Sequence, residues 1–291
     1  MEVPLFFSIM ISKFLQIGQL NLHCLEGPQH GPTLLLLHGL TANAHAFDGL
    51  IDAGLTRFCH LISVDLRGRG LSDAHESEYT MQAHAKDIIG LMDILHVQQV
   101  ILGGHSFGAL LSFYLAAHFP KRFSQLILMD AGLSMHPNTK EMLAPTLSRL
   151  EQTYPSFSFY LDKAQKAPYN TPWYPEMESY YRADVKEVGQ GQVQPRSQLM
   201  HMIEAVTGAL SEPWKEYITK IEHPAILIHG PENYTLGAPL LPKENALETV
   251  ALLKKGKYVQ VPGNHQTMLY GPGAKAIVAA IQHFIENGSS N

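Results

Sequence analysis

The residues with the most chemical promise are Ser106, in Gly104-His105-Ser106-Phe107-Gly108, and His265, far downstream in Pro262-Gly-Asn-His265. A serine hydroxyl is a weak nucleophile until a base takes its proton, so a specially presented serine calls for a histidine elsewhere. The pentapeptide lies between the apolar run Val97–Leu102 and the apolar-periodic run Phe107–Phe119, which Pro120 closes. A strand turning sharply into a helix at this point leaves the Ser106 hydroxyl exposed at the strand's end. Glycine is required at 104 and 108, because a Cβ at either would press on the neighbouring helix or strand. His265 follows the run Lys257–Val261; with 16 histidines in the chain, its position and not its type singles it out.

Positioning these two groups takes a scaffold, and the rest of the pattern supplies one. Lys13–Ile17 and Leu20–Leu25 read as an outer hairpin split by Gly18. Thr33–Leu37 and His60–Val64 are continuous apolar runs, as expected of strands buried on both faces. Tyr79–Leu95 has one apolar face at helical spacing, and Ala274–Ile285 is a second such helix. Ser124–Met129 and Ala225–Ile228 are further apolar strands. Strands alternating with helices predict a mostly parallel sheet covered on both faces. From about Ser134 to Pro213 the rhythm breaks: the segment is rich in tyrosine, and Thr139–Thr153 and Ser197–Leu210 have helical spacing. The reading is an α/β core, residues 1–133 and 214–291, interrupted by a helical cap at 134–213.

Four motifs occur in order: His38-Gly39-Leu40, Asp65-Leu-Arg-Gly-Arg-Gly70, the Ser106 turn and Gly263-Asn-His265. Together they resemble the α/β-hydrolase fold family over nearly the whole chain. The resemblance implies Ser106 as nucleophile, His265 as its base, and backbone N–H groups of Leu40 and Phe107 as the oxyanion hole. Haloalkane dehalogenases and epoxide hydrolases of this fold carry Asp at the turn, so the serine here disfavours both chemistries. His38, Asp65, Arg67 and Asp73 read as loop bracing.

The acid that orients the base is open at this stage. Many family members place an Asp after the penultimate core strand, where this chain reads Gly230-Pro-Glu232-Asn233. A neutral Asn233 would stabilise an imidazolium poorly. The alternatives are Asp130, at the end of the strand beside the serine strand, and Glu232. In the cap, Trp173 and Arg182 are candidate substrate contacts, with Arg196 a further candidate anchor, since arginine offers a planar donor fork to a carboxylate.

Composition excludes other classes. The 291 residues bury roughly three-quarters of their unfolded surface, enough for one large domain. A net charge of −5 without basic runs argues against nucleic acid. Two cysteines, Cys24 and Cys59, suit a reducing compartment. The apolar start, Met1–Lys13, lacks a basic region and a small-residue cleavage site, so a packed segment in a cytoplasmic protein is expected. No run reaches the ~20 apolar residues of a membrane span. No metal-ligand, dinucleotide or P-loop pattern is present, so no cofactor is expected. The reading is a serine hydrolase cleaving a carboxylic ester of a small molecule. Its rivals are an amide hydrolase of a small carboxylated metabolite, which the loop spacing and an Asp130-type acid would suit, and a carbon–carbon hydrolase. A ligand receptor with little turnover is the rival from another class.

Overall fold

The computed structural model describes residues 10–76 and 78–288; Met1–Ile9, most of the apolar start, lies outside them. In chain order the first half gives β1 (Ile11–Ile17), β2 (Leu20–Glu26), β3 (Thr33–Leu37), α1 (Asp48–Asp52), β4 (His60–Val64), α2 (Met81–Ile94), β5 (Val100–His105), α3 (Phe107–His118) and β6 (Phe123–Met129). The chain then runs through α4 (Thr139–Ser148), α5 (Phe157–Gln165), α6 (Met177–Asp184), β7 (Val185–Gly189), β8 (Gln192–Pro195), α7 (Leu199–Leu210) and α8 (Trp214–Lys220). It returns to the sheet with β9 (Pro224–His229), α9 (Lys243–Leu252), β10 (Lys255–Gln260) and α10 (Gly271–Gly288).

Eight strands form one sheet in the order β1-β2-β4-β3-β5-β6-β9-β10. The β1–β2 and β2–β4 pairs are antiparallel, and the rest are parallel. The runs of β-branched and leucine residues form strands because both faces of the sheet are covered. Leu35 and Leu37 of β3 enter the core under α2 and α3, whereas Leu34 and Leu36 enter the opposite core with Phe47, Ile277 and Ile281. The same alternation divides Leu126 and Leu128 from Ile127 and Met129 on β6. Each such buried side chain contributes about 2 kcal/mol, and slipping the register by one residue would exchange the two sets.

One feature departs from the sequence reading. The segment between β6 and β9, expected to be helical, also holds the antiparallel hairpin β7–β8, tied to Tyr154 through Val193. Most of β7 is exposed, so its polar sequence Lys-Glu-Val-Gly has no apolar run to betray a strand.

The topology decides where chemistry gathers. Parallel strands β3, β5, β6 and β9 all end at the same sheet edge, where the chain must turn and expose backbone groups. His38–Leu40, Ser106, Asp130 and Gly230 follow those strands directly, and His265 follows β10.

Candidate active site

Ser106 joins β5 to α3 with φ 55° and ψ −118°, a strained conformation for a residue with a Cβ. The crowding predicted at its flanks is present. A Cβ on Gly104 would sit 2.1 Å from Gly108 O, and one on Gly108 would sit 2.0 Å from Leu37 O. Helix α3 therefore lies hard against β3 and β5, and its first turn is aimed at the sheet edge.

His265 Nε2 lies 2.9 Å from Ser106 Oγ. Its Nδ1–H donates to Asp130 Oδ2 at 2.7 Å, which fixes the tautomer and leaves Nε2 as the acceptor facing the serine. Asp130 is fully buried, and its other oxygen accepts the Gly230 N–H at 3.0 Å. Thus Ser106, His265 and Asp130 form one hydrogen-bonded chain. Glu232 is not part of it. Its side chain is exposed and accepts the Gly263 N–H at 2.8 Å, bracing the loop that leads to His265. The Asn233 carbonyl accepts from the Asn264 side chain at 3.3 Å, and among the described residues its side chain makes no hydrogen bond to His265.

The histidine loop is held by residues that the sequence reading did not single out. His105 Nε2–H donates to the His265 carbonyl at 2.7 Å, and its ring packs 4.6 Å from the His265 ring. Burial pushes the His105 pKa well below the ordinary histidine range, with His265 adding to the effect. Asn264 caps the turn by accepting from Gln266 and Thr267 N–H groups at 2.9 Å. A polar residue beside a G-x-S-x-G serine is the signal that was available for His105.

The loop after β3 is fixed from two sides. His38 Nδ1–H donates to Gly39 O at 2.7 Å while Nε2 accepts the Leu66 N–H at 3.0 Å. That arrangement needs a neutral ring, and burial lowers the His38 pKa to about 4. Arg69 Nε donates to Leu40 O at 3.0 Å. Burial pushes this guanidinium down to about 9. The Leu40 and Phe107 N–H groups make no backbone hydrogen bond among the described residues. Asp65 accepts from His23, Ala44 and Leu71, Arg67 pairs with Asp87, and Asp73 accepts from Asn21.

Above Ser106 is a cavity of about 60 Å³ lined by Leu40, Arg149, Tyr169, Tyr180, Tyr234 and His265, among others. Neither cap candidate reaches it. Arg182 is exposed, pairs with Glu178 at 2.7 Å and lies 4.2 Å over the Phe157 ring. Trp173 stacks on Tyr181 at 5.6 Å, so it packs the segment together. Arg196 is likewise outside the cavity. For Arg182 the cause is the orientation of α6, which turns its Tyr180–Tyr181 face inward and leaves Arg182 to solvent.

The arginine present is Arg149, unmarked in the sequence. Its Nη2 donates to Thr41 O and Oγ1 at 3.2 and 3.3 Å, and Nη1 lies 3.0 Å from Asp184 Oδ2. Nη1 nonetheless makes no aligned hydrogen bond. Burial opposes its charge, and the Asp184 carboxylate with nearby tyrosines keeps it protonated.

A sequence profile described as α/β hydrolase fold matches residues 32–185, more than half of the chain. The chain belongs to the α/β-hydrolase fold family. Within that family it is 38% identical over 120 residues to the 2-(acetamidomethylene)succinate hydrolase of Mesorhizobium japonicum, a match covering 41% of this chain and 42% of that protein. The chain thus matches under half of that relative's length. The crystal structure of E-2-(acetamidomethylene)succinate hydrolase superposes with a TM-score of 0.84 at 25% identity, covering 95% of this chain and 99% of that one. The thioesterase domain from the curacin biosynthetic pathway gives 0.75 at 21% identity over 95% and 99% of the two chains, a likeness of fold. The site described above lies at the carboxyl edge of the parallel strands. Among the described residues no helix is long and apolar enough to cross a membrane, and no cluster of three metal-binding side chains occurs.

Proposed function

We propose that this protein is a cofactor-free serine hydrolase that cleaves an acyl bond of a small molecule through an acyl-enzyme on Ser106. The observation carrying this reading is the unbroken hydrogen-bonded chain Ser106–His265–Asp130 at the floor of a cavity. Ser106 Oγ attacks the acyl carbon while His265 Nε2 takes its proton. The carbonyl oxygen becomes an oxyanion held by the Leu40 and Phe107 N–H groups, each contributing about 3 kcal/mol. His265 then protonates the leaving group, and the bond to it breaks. Water enters, gives its proton to His265 and attacks the acyl carbon, and the acid departs as Ser106 regains its proton. Asp130 holds the imidazole in its tautomer and stabilises the cation that forms twice in the cycle.

Residues 134–213 act in this reading as the cap that sets substrate size and charge. A cavity of about 60 Å³ suits a short acyl group, since each water-sized occupant needs about 10–15 Å³. Ester cleavage is the first form of the reaction. The second, an amide of a small carboxylated molecule, draws on Arg149, a buried arginine that lines the cavity, and on the likeness to the succinate hydrolases. A substrate carboxylate in the cavity would be attracted by that charge.

The test is turnover of p-nitrophenyl acetate, butyrate and octanoate, and of 2-(acetamidomethylene)succinate, by wild type and Ser106→Ala. Activity on acetate or on the amide that vanishes in the variant supports the reading. Turnover surviving in Ser106→Ala removes the nucleophile, and a preference for octanoate removes the short-acyl pocket. Saturable binding without product would favour a receptor.

A further inference from the structure

Arg69 is the largest of the fully buried side chains and stands in the loop after β4. Its hydrogen bonds all go to neutral acceptors. Nε donates to Leu40 O, and Nη1 donates to Arg67 O at 2.7 Å and to His84 Nε2 at 2.8 Å. His84 Nδ1–H donates to Thr80 O, so its Nε2 holds a lone pair and the ring is neutral. Nη2 is buried with no hydrogen bond. No carboxylate forms an ion pair with Arg69 among the described residues, whereas Arg67 has Asp87 and Arg149 has Asp184. The guanidinium carbon lies 5.4 Å from the Phe107 ring centroid and 5.6 Å from that of Tyr79.

A buried cation without a counter-ion is costly, and a neutral amide would brace the Leu40 carbonyl without burying a charge. What sets this cation apart is its neighbours. It touches both residues assigned to the oxyanion hole, Leu40 through its carbonyl and Phe107 through its ring. We propose that Arg69 is a positioning residue that completes the oxyanion site: it fixes Leu40 and supplies a positive charge that is matched only when the tetrahedral intermediate forms. This rests on the serine-hydrolase reading and extends it. An interaction stronger in the transition state than in the ground state raises kcat and leaves substrate binding alone. His38 serves the adjoining peptide, since its Nδ1–H holds Gly39 O, the carbonyl of the peptide unit that ends in the Leu40 N–H.

Two variants test the proposal. Arg69→Gln keeps a donor for Leu40 O and removes the charge; Arg69→Lys keeps the charge. For p-nitrophenyl acetate, Arg69→Gln is expected to lower kcat by about 10–100-fold with KM within about threefold, as a charge behind the direct donors should. Labelling of Ser106 by a fluorophosphonate, whose phosphonyl oxygen enters the same site, should slow by a similar factor. The melting temperature of Arg69→Gln should hold or rise, and Arg69→Lys should recover most of the rate. A near-wild-type kcat in Arg69→Gln overturns the proposal. So does a loss that follows a fall in melting temperature, or loss of the fold in both variants, because a structural brace then explains the burial. If wild-type Ser106 neither turns over esters nor takes the label, the hydrolase reading falls, and the role of Arg69 with it.

Discussion

Asp130 and His265 stand 135 positions apart in the chain and meet through a hydrogen bond of 2.7 Å. β6 ends at the carboxylate, and the loop after β10 carries the imidazole, two strands away across β9. Asp130 has φ 53°, so the strand ends in a turn that directs the side chain toward the Gly230 N–H and His265. Asp130→Asn is therefore expected to cut kcat on p-nitrophenyl acetate by roughly 10⁴-fold, because an amide can support the wrong tautomer. Glu232→Gln should stay near wild type, since its carboxylate meets only the Gly263 N–H. A large loss in Glu232→Gln with none in Asp130→Asn would reverse the assignment.

Arg149 and Asp184 must be changed together to be read cleanly. Arg149→Gln alone strands a fully buried carboxylate and should destabilise by about 3–5 kcal/mol. In Arg149→Gln/Asp184→Asn the charge imbalance is gone and the fold should largely recover. The double variant should raise KM for a carboxylated substrate by about 10–100-fold, the worth of a charged hydrogen bond. Its KM for p-nitrophenyl acetate should change by less than about threefold. Equal losses on both substrates would mean that Arg149 serves only to fasten Thr41.

Gly108→Ala sets a propensity gain against a collision. Alanine in a helix is worth about 1 kcal/mol over glycine. The new Cβ, however, would lie 2.0 Å from Leu37 O and 2.8 Å from His38 O, both backbone atoms that cannot turn aside. The collision should win, with a net loss of about 2–3 kcal/mol in the free energy of urea unfolding and a fall in kcat as the Leu40 loop shifts. A stabilised Gly108→Ala would show that α3 is free to move off β3.

Acid should weaken the fold through its buried histidines. His38 titrates near 4 in the folded chain and near 6.5 when unfolded, so the unfolded state binds more protons between those values. Stability from this group is complete above pH 6.5 and is lost as pH falls toward 4, about 3 kcal/mol at most. His84 and His105 are shifted in the same direction, again mainly by burial. Urea midpoints from pH 7 to 4.5 should fall steadily, and His38→Gln should flatten part of the slope. An unchanged slope in that variant would assign the acid sensitivity to other groups.

What was legible in the sequence is what local sterics and periodicity dictate. Four leucines in a short run bounded by turn residues read as a strand buried on both faces, and the glycines two positions either side of Ser106 read as places where helix and strand crowd it. The hairpin β7–β8 was illegible because β7 is exposed beyond Val185 and β8 is only four residues long, too short for its Gln-Val-Gln-Pro alternation to stand out. Arg182 is a candidate contact by residue type alone, and its i,i+4 partner Glu178 is the signal that marks a solvated helix face.

The sequence by itself determined the strand order of events along the chain, the turn that presents Ser106 and the family to which the chain belongs. Tertiary structure alone decided which carboxylate reaches His265, which arginine enters the cavity and where a charge is left unmatched. Those outcomes depend on packing between segments over a hundred residues apart, Asp130 with His265 and Arg149 with Thr41. Arg69 with Leu40 spans a shorter gap, yet it too is set by which loops the sheet brings side by side. A periodicity of two or 3.6 residues records which face of an element is buried; it does not record what that face will meet.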